Sequence, residues 1–426
     1  MTTNWNAILV TGKPVVTVSA GAISGSGADF GSDSTSNATP GVVGTGTLTT
    51  TSGIQGAINY LQGTIGGGTA YLLYTPDAPF AFSGSITIGS PTTATGIVAL
   101  VGQPGVLIQW SGNAGIFLTV DHSYLDAHYL DALPVGVPLL SDFTVELSGQ
   151  SAGNGPCGVK LIQVQNAFLM TRVRVISTVS APVVQTAILV SGYGILCTLD
   201  RCDILYAGSP SSEVESIGLQ TEASDVPDLV QQFTVRNCRI EGWYYGINHS
   251  GASRAVYQGN LIQDNVIGAW IVSYVPTFRD NWFENNSTSH VGSVAALEGW
   301  MVFEDNHFDN RSMFSGSGSL STAAVFRRND GVNPYGLYSS PFSTAAGTIV
   351  PQGSSVSPAS GTIYQVNYCD VIINSSGGSG VTIDTYDNLG NVLISGLASV
   401  SNLYLPVGFQ IKFTYSSAPS VTVAGV

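Results

Sequence analysis

The chain has 426 residues, only 9% of them charged, and a formal net charge of −14 at pH 7. That balance argues against nucleic acid, which needs a basic footprint, and against an anionic membrane surface. Low charge with 51 glycines suits a β-rich chain kept wet by Ser, Thr and Asn.

Taken from the N-terminus, MTTNWNAILVTGKP lacks a basic segment followed by an apolar one, so no secretory leader is expected. No apolar run reaches about 18 residues, so no membrane insertion is expected either. Residues 1–50 are dominated by Gly, Ser, Thr and Ala and predict a loosely structured lead-in, a docking segment. In SGIQGAINYLQ (52–62), Ile54, Ile58 and Leu61 recur at helical spacing, with Ser52 placed to cap the N-terminus. GGGTAYLLY (66–74), FSGSITIGS (82–90) and GIVALVGQPGVLIQW (96–110) follow as strands separated by turns.

A short helix followed by a glycine-rich strand and further strands resembles the opening of the pectate-lyase-like right-handed parallel β-helix superfamily, which includes tailspike-like and viral fibre-like proteins. In that family a helix caps the open end of the coil. The resemblance implies an all-β fold, a right-handed parallel β-helix with an N-terminal capping helix.

The middle of the chain supports the same fold independently. The residue two before the apolar anchor of each candidate rung is Val173, Cys202, Cys238, Asn260, Asn281 and Asn306, at separations of 29, 36, 22, 21 and 25. A period of about 20–25 residues with insertions is what a stacked solenoid requires. The position changes from Val to Cys to Asn, so it faces inward, and the three asparagines are expected to form a ladder. Gly246 and Gly268 each fall eight residues past it, where a turn is expected. Cys157, Cys197, Cys202, Cys238 and Cys369 form no CxxC pattern and read as small buried thiols, Cys202 and Cys238 one rung apart.

The repeated phrase RDNWFENN (279–286) and EDNHFDNR (304–311) is then primarily architectural, with Asn and Phe inward and the acidic residues outward. Outward columns are where chemistry can sit. Three residues past the ladder stand Leu205, Glu241, Gln263, Glu284 and Asp309; one past it stand Asp203, Arg239, Leu261, Trp282 and His307. Glu284 and Asp309, on neighbouring rungs about 5 Å apart, are the candidate acid and nucleophile for a glycosidic bond, with His307 a titratable neighbour and Trp282 a flat face for a sugar ring. The alternative is a solvated edge in which Arg279 and Glu304 pair.

A second candidate is the aromatic run EGWYYGINH (241–249) beside AWIVSY (269–274), where Trp243, Tyr244, Tyr245, Trp270 and Tyr274 would form a strip with Asn248 and His249 as polar partners. As substrate-binding residues this gives Trp282, Trp243, Tyr245, Trp270 and Asn248. The insertion 209–228 carries Glu213, Glu215, Glu222, Asp225 and Asp228 and reads as a groove wall without the spacing of a Ca²⁺ loop. No metal or other cofactor is expected.

Residues 51–332 are thus assigned to the β-helix, 333–360 to a Pro-, Gly- and Ser-rich linker or irregular cap, and 361–426 to a small C-terminal antiparallel β module. The module resembles the small β-sandwiches behind β-helices in viral fibres. The superfamily resemblance adds a link to carbohydrate but transfers no catalytic residue. The Gly-His-Gly and Arg-Ile-Lys motifs of polygalacturonases are absent, and lysine, the base in some pectate lyases, is nearly absent from the coil. The expectation is an extracellular or virion-surface protein, homotrimeric, that binds and in one reading depolymerises a cell-surface polysaccharide. The competing class is a non-catalytic structural fibre, filament or adhesin subunit.

Overall fold

The structure, a computed structural model, describes residues 14–22, 28–32, 51, 53–90, 96–112, 115–123, 138–148, 157–164, 168–178, 185–192, 197–208, 216–222, 230–272, 276–293, 301–309, short strands at 314–315, 324–327, 330–331, 342–343, 348–349 and 352–356, and 358–366, 371–387, 390–406 and 409–425. Most of the lead-in, Ser52, Tyr274, Cys369, and Glu213, Glu215, Asp225 and Asp228 of the proposed groove wall lie outside the described residues.

Each rung is set by a corner of two residues. Arg172, Arg201, Asn237, Gly259, Asp280 and Asp305 hold φ between +53° and +65°. An ordinary L-residue there costs about 1–2 kcal/mol, whereas Gly, Asn and Asp tolerate it, which accounts for four of the six. The reversed backbone turns the next side chain inward: Val173, Cys202, Cys238, Asn260, Asn281 and Asn306 are no more than 2% exposed.

On one side of this corner stack Leu169–Thr171, Thr198–Asp200, Thr234–Arg236, Val256–Gln258, Thr277–Arg279, Met301–Glu304 and Ala324–Arg327, all parallel. On the other stack Arg174–Ser177, Asp203–Tyr206, Arg239–Glu241, Leu261–Gln263, Trp282–Glu284, His307–Phe308 and Asp330–Gly331. The long strands Val98–Trp110 and Pro138–Leu147 run through both faces and join them into one 19-stranded sheet. A separate nine-stranded parallel sheet, from Ile86–Gly89 to Phe314–Ser315, is the third face. The fold is therefore the expected right-handed parallel β-helix.

The expected ladder is present. Asn281 Oδ1 accepts the backbone N–H of Asn260 at 3.0 Å and its side-chain amide at 2.9 Å, and Asn306 does the same for Asn281 at 3.0 and 2.9 Å. Beside it the rings of Tyr257, Phe278 and Phe303 stack at 4.8 and 5.1 Å, and those of Phe283 and Phe308 at 4.9 Å. Cys202 and Cys238 are free buried thiols, the Cys202 N–H lying 3.4 Å from Cys238 Sγ.

A second ladder, which the sequence reading did not anticipate, lines the next corner. Gly242, Asp264 and Asn285 have positive φ there, and Trp243, Asn265 and Asn286 follow inward. Asn265 Oδ1 accepts the Trp243 N–H at 3.0 Å; Asn286 Oδ1 accepts the Asn265 N–H at 3.2 Å and its amide at 3.0 Å. Gly246 and Gly268 are not turn residues. They lie inside strands Tyr245–His249 and Ile267–Ile271. A Cβ on Gly246 would come within 2.6 Å of Gly268 O and 2.9 Å of Asn265 Nδ2, so the ladder leaves no room for a side chain.

At the N-terminal end, Ile54–Tyr60 is helical and continues as one π turn, Leu61–Ile65. Ile54, Ile58 and Leu61 are fully buried as expected. The cap differs from expectation: Gly53 occupies the N-cap position at φ +79° and no side chain caps the helix. Part of the lead-in also belongs to the coil, because Val15–Val18 pairs in parallel with Gly68–Leu72. In the 209–228 insertion, Ser216–Glu222 is likewise a strand of the third face. The C-terminal module is a six-stranded and a four-stranded sheet, almost wholly antiparallel. Phe342–Ser343, Thr348–Ile349 and Gln352–Val356, within the expected linker, supply three of those strands.

Candidate functional site

The registers place the outward columns as the periodicity requires. Arg239, Leu261, Trp282 and His307 are successive partners, as are Glu241, Gln263 and Glu284. The N–H of Asp309 donates to Phe283 O at 3.0 Å, which sets Asp309 on the rung beyond Glu284. Trp282 is 48% exposed and its ring lies 3.9 Å from that of His307 at 33°. These four predicted residues share one edge, where the second face turns towards the third.

Their electrostatic roles diverge. Asp309 Oδ2 accepts the Asn285 N–H at 2.5 Å, while Oδ1 lies 2.8 Å from Nε2 of buried His290, a close polar contact. Asp309 is thus held by the protein. Glu241 is held too, by Arg239 and by the Gln263 amide at 2.8 Å. The Glu284 carboxylate makes no hydrogen bond or ion pair among the described residues. Beside it is Asp264, which the sequence reading missed. Its carboxyl is pushed above the ordinary aspartate value, chiefly by burial and then by Glu241 and Glu284, against the pull of Arg239 and a hydrogen bond from Asn285.

Asp264 was hidden because it belongs to no outward strand column; it is a left-handed corner residue. A signal existed nonetheless. Asp264-Asn265, Asp280-Asn281, Asn285-Asn286 and Asp305-Asn306 are all a left-handed Asp or Asn followed by an inward Asn, so the dipeptide marks both corners.

On the neighbouring column the expected pair forms, Arg279 to Glu304 at 2.9 Å. Arg236 pairs with Asp200 at 3.2 Å, and the Gln258 amide donates to Asp280 at 3.2 Å. These side chains brace the first corner.

The aromatic strip is only partly realised. Trp243 points into the core, fully buried, with Nε1 donating to Ile204 O at 3.0 Å, so it cannot touch a ligand. His249 is also inward, its Nδ1 3.0 Å from the Tyr257 hydroxyl, and burial lowers its pKa to about 4. Tyr245 does lie on the outer side of the third face, packed with Ile217 and Ile267 and flanked by Tyr244 and Trp270. Asn248 is the strand partner of Trp270, and its Oδ1 is buried without a protein partner. Strand alternation fails at Trp243 because the corner sits there.

A separate open cavity of about 240 Å³ lies between Leu73–Phe80 and Gly105–Leu107, lined by Tyr74 and Asp77 among others. No predicted site residue lines it. Among the described residues, no helix is long and apolar enough to cross a membrane.

The chain is similar to the tailspike protein 4 enzymatically active domain of bacteriophage CBA120, at 11% identity over 87% of this chain and 65% of that one, with a TM-score of 0.37. It is similar to a tailspike protein of the Acinetobacter baumannii bacteriophage Fri1, a capsular polysaccharide depolymerase, at 10% identity over 84% and 79% of the two chains, TM-score 0.35. The mannuronan C-5 epimerase A-module of Azotobacter vinelandii matches at 14% identity over 64% and 94%, TM-score 0.24. This chain therefore spans 65% of the length of the first of these. No curated protein matches it by sequence. Residues 157–331 match the family described as the right handed beta helix region, and with the stacked parallel rungs this places the chain in the right-handed parallel β-helix superfamily.

Proposed function

We propose that the chain binds an extended cell-surface polysaccharide along the edge carrying Trp282, His307, Glu284 and Asp309, as an extracellular or virion-surface protein of the tailspike type. The observation that carries this reading is Trp282, 48% exposed on a rigid sheet and backed by His307. A flat exposed indole fits the apolar face of a sugar ring, and carboxylates beside it accept sugar hydroxyls. Trp270 with Tyr245 and Asn248 beside it on the third face extends the contact.

For cleavage of a glycosidic bond, the acid is drawn from Glu284 and Asp264, since Asp264 keeps its proton to higher pH than an ordinary aspartate. Asp309, already accepting from Asn285, is the fixed anion opposite. The same observation favours the second reading, a non-catalytic fibre: an Asp309 engaged by its own rung and an Arg279–Glu304 pair are what a purely structural edge would show.

Viscosity and reducing-sugar assays on a panel of neutral and acidic capsular polysaccharides, with binding measured in parallel, separate the two. Glycan binding that falls at least about tenfold in Trp282→Ala, a loss of about 1.4 kcal/mol, supports the first reading. Loss of cleavage in Glu284→Gln with binding retained adds catalysis to it. No binding across the panel, or binding indifferent to Trp282→Ala, leaves the fibre.

A further inference from the structure

The hydrogen bonds beneath this edge have a fixed direction. A backbone N–H can only donate, so the Asn286 atom that meets the Asn265 N–H at 3.2 Å is the oxygen, and the other is the amide nitrogen. That nitrogen donates to Ile262 O at 3.0 Å and meets His290 Nδ1 at 3.0 Å. Turning the Asn286 amide over would set a donor against a donor at Asn265, so the ladder forbids it. His290 Nδ1 is consequently an acceptor, and the ring proton is on Nε2, the nitrogen 2.8 Å from Asp309 Oδ1.

The ring has little freedom to do otherwise. It is fully buried, with the rings of Phe283 and Phe308 at 6.0 and 5.7 Å. The other oxygen of Asp309 takes the N–H of Asn285, the left-handed residue that follows Glu284. Where the Asn281 amide nitrogen meets Asn306 Oδ1 in the first ladder, the Asn286 amide nitrogen meets His290 Nδ1, so His290 carries the second ladder's polarity outward. A continuous chain of contacts thus runs from Asn265 in the core through Asn286, His290 and Asp309 to the backbone beside Glu284.

We propose that His290 is the positioning residue of this edge: the second asparagine ladder holds it in the neutral Nε2–H tautomer, and it holds the Asp309 carboxylate against the Asn285 N–H, fixing Asp309 relative to Glu284. The proposal rests on the function proposed above only in treating this edge as the glycan site.

The test reads ring nitrogens and one amide by NMR in the full-length chain, with His290 assigned by the signals absent from His290→Gln. The expected result at neutral pH is an acceptor-type Nδ1 and a protonated Nε2. Asn286→Asp, which sets a carboxylate oxygen opposite Nδ1, should draw a proton there. Gln at 290 can still donate to Asp309, so His290→Gln should keep slow hydrogen exchange at the Asn285 amide, whereas His290→Leu should speed it by about tenfold or more. A protonated Nδ1 in the native chain overturns the proposal, as does Asn285 exchange unchanged in the Leu variant. Should the Leu variant fail to fold, the native ring signals and Asn286→Asp still decide. Absence of glycan binding in the native chain, with all these signals as expected, overturns the proposed function and leaves the tautomer and its hold on Asp309 standing.

Discussion

Removing the Asn281 side chain takes away the acceptor for both the backbone N–H and the amide of buried Asn260. Each group left unpaired in the core costs about 1–3 kcal/mol, so Asn281→Ala should lose at least that much in urea denaturation. Glu284→Gln, which breaks no bond in the fold, should stay within about 0.5 kcal/mol of the native chain. Asp264 gives a pH signature. Its folded pKa is raised, so the folded state binds more protons than the unfolded state in a window just above the ordinary aspartate value of about 3.9. The charge therefore opposes folding fully above that window and not at all below it. Asp264→Asn should raise the melting temperature slightly at neutral pH, with the gain vanishing below the window; a gain that grew on acidification would contradict the assignment. The thiols offer a further check. Cys202 and Cys238 are no more than 2% exposed, and the neighbouring Cys202, together with burial, pushes the Cys238 thiol up, so neither should react with alkylating reagents before unfolding.

At the scale of elements, legibility followed the regularity of the chain. The first ladder was readable because an asparagine recurred at one phase beside an apolar anchor, and its neighbours Trp282 and His307 came with it. The second corner was not, because it begins with Gly242-Trp243 and only later becomes Asp-Asn, so no single residue type marks it. Trp243 departs from the expected strip for the same reason: the corner breaks strand alternation and turns that indole inward while Tyr245 goes out. Gly246 and Gly268 form a column because the next rung crowds them, and such crowding leaves no mark within a single strand. Gly246→Ala should accordingly cost about 1–3 kcal/mol by overpacking, although the residue sits in an ordinary strand. The strand Val392–Leu397 shows what periodicity could not supply. It is an edge of the six-stranded sheet, with Val392, Leu393 and Ile394 at 59%, 51% and 39% exposed and no charge or proline in VLISGL. Isolated edges are normally blunted by such residues, which supports the proposal that this module pairs with other copies of the chain. Light scattering should find a trimer at micromolar concentration and a smaller species for a Leu393→Lys, Ile394→Lys double variant. A monomeric native chain would remove the proposal.

Across the whole molecule, the first corner keeps one length throughout. From Arg172-Val173 to Asp305-Asn306, two residues always separate the strands on either side of it, while the connections flanking the third face vary, with three residues between Arg239–Glu241 and Tyr245–His249, four between Trp282–Glu284 and Ser289–Ser293, and five between Ile267–Ile271 and Thr277–Arg279. The coil is therefore editable in whole units. Excising residues 260–280 would join Gly259 to Asn281, a left-handed residue to an inward asparagine, and leave Cys238 against Asn281 as it now stands against Asn260. A chain shortened in this way should still fold, one rung shorter. A cut one residue longer, 260–281, should not, because it would join Gly259 to Trp282 and set every later side chain of that rung one place out of register, bringing solvent-facing residues into the core.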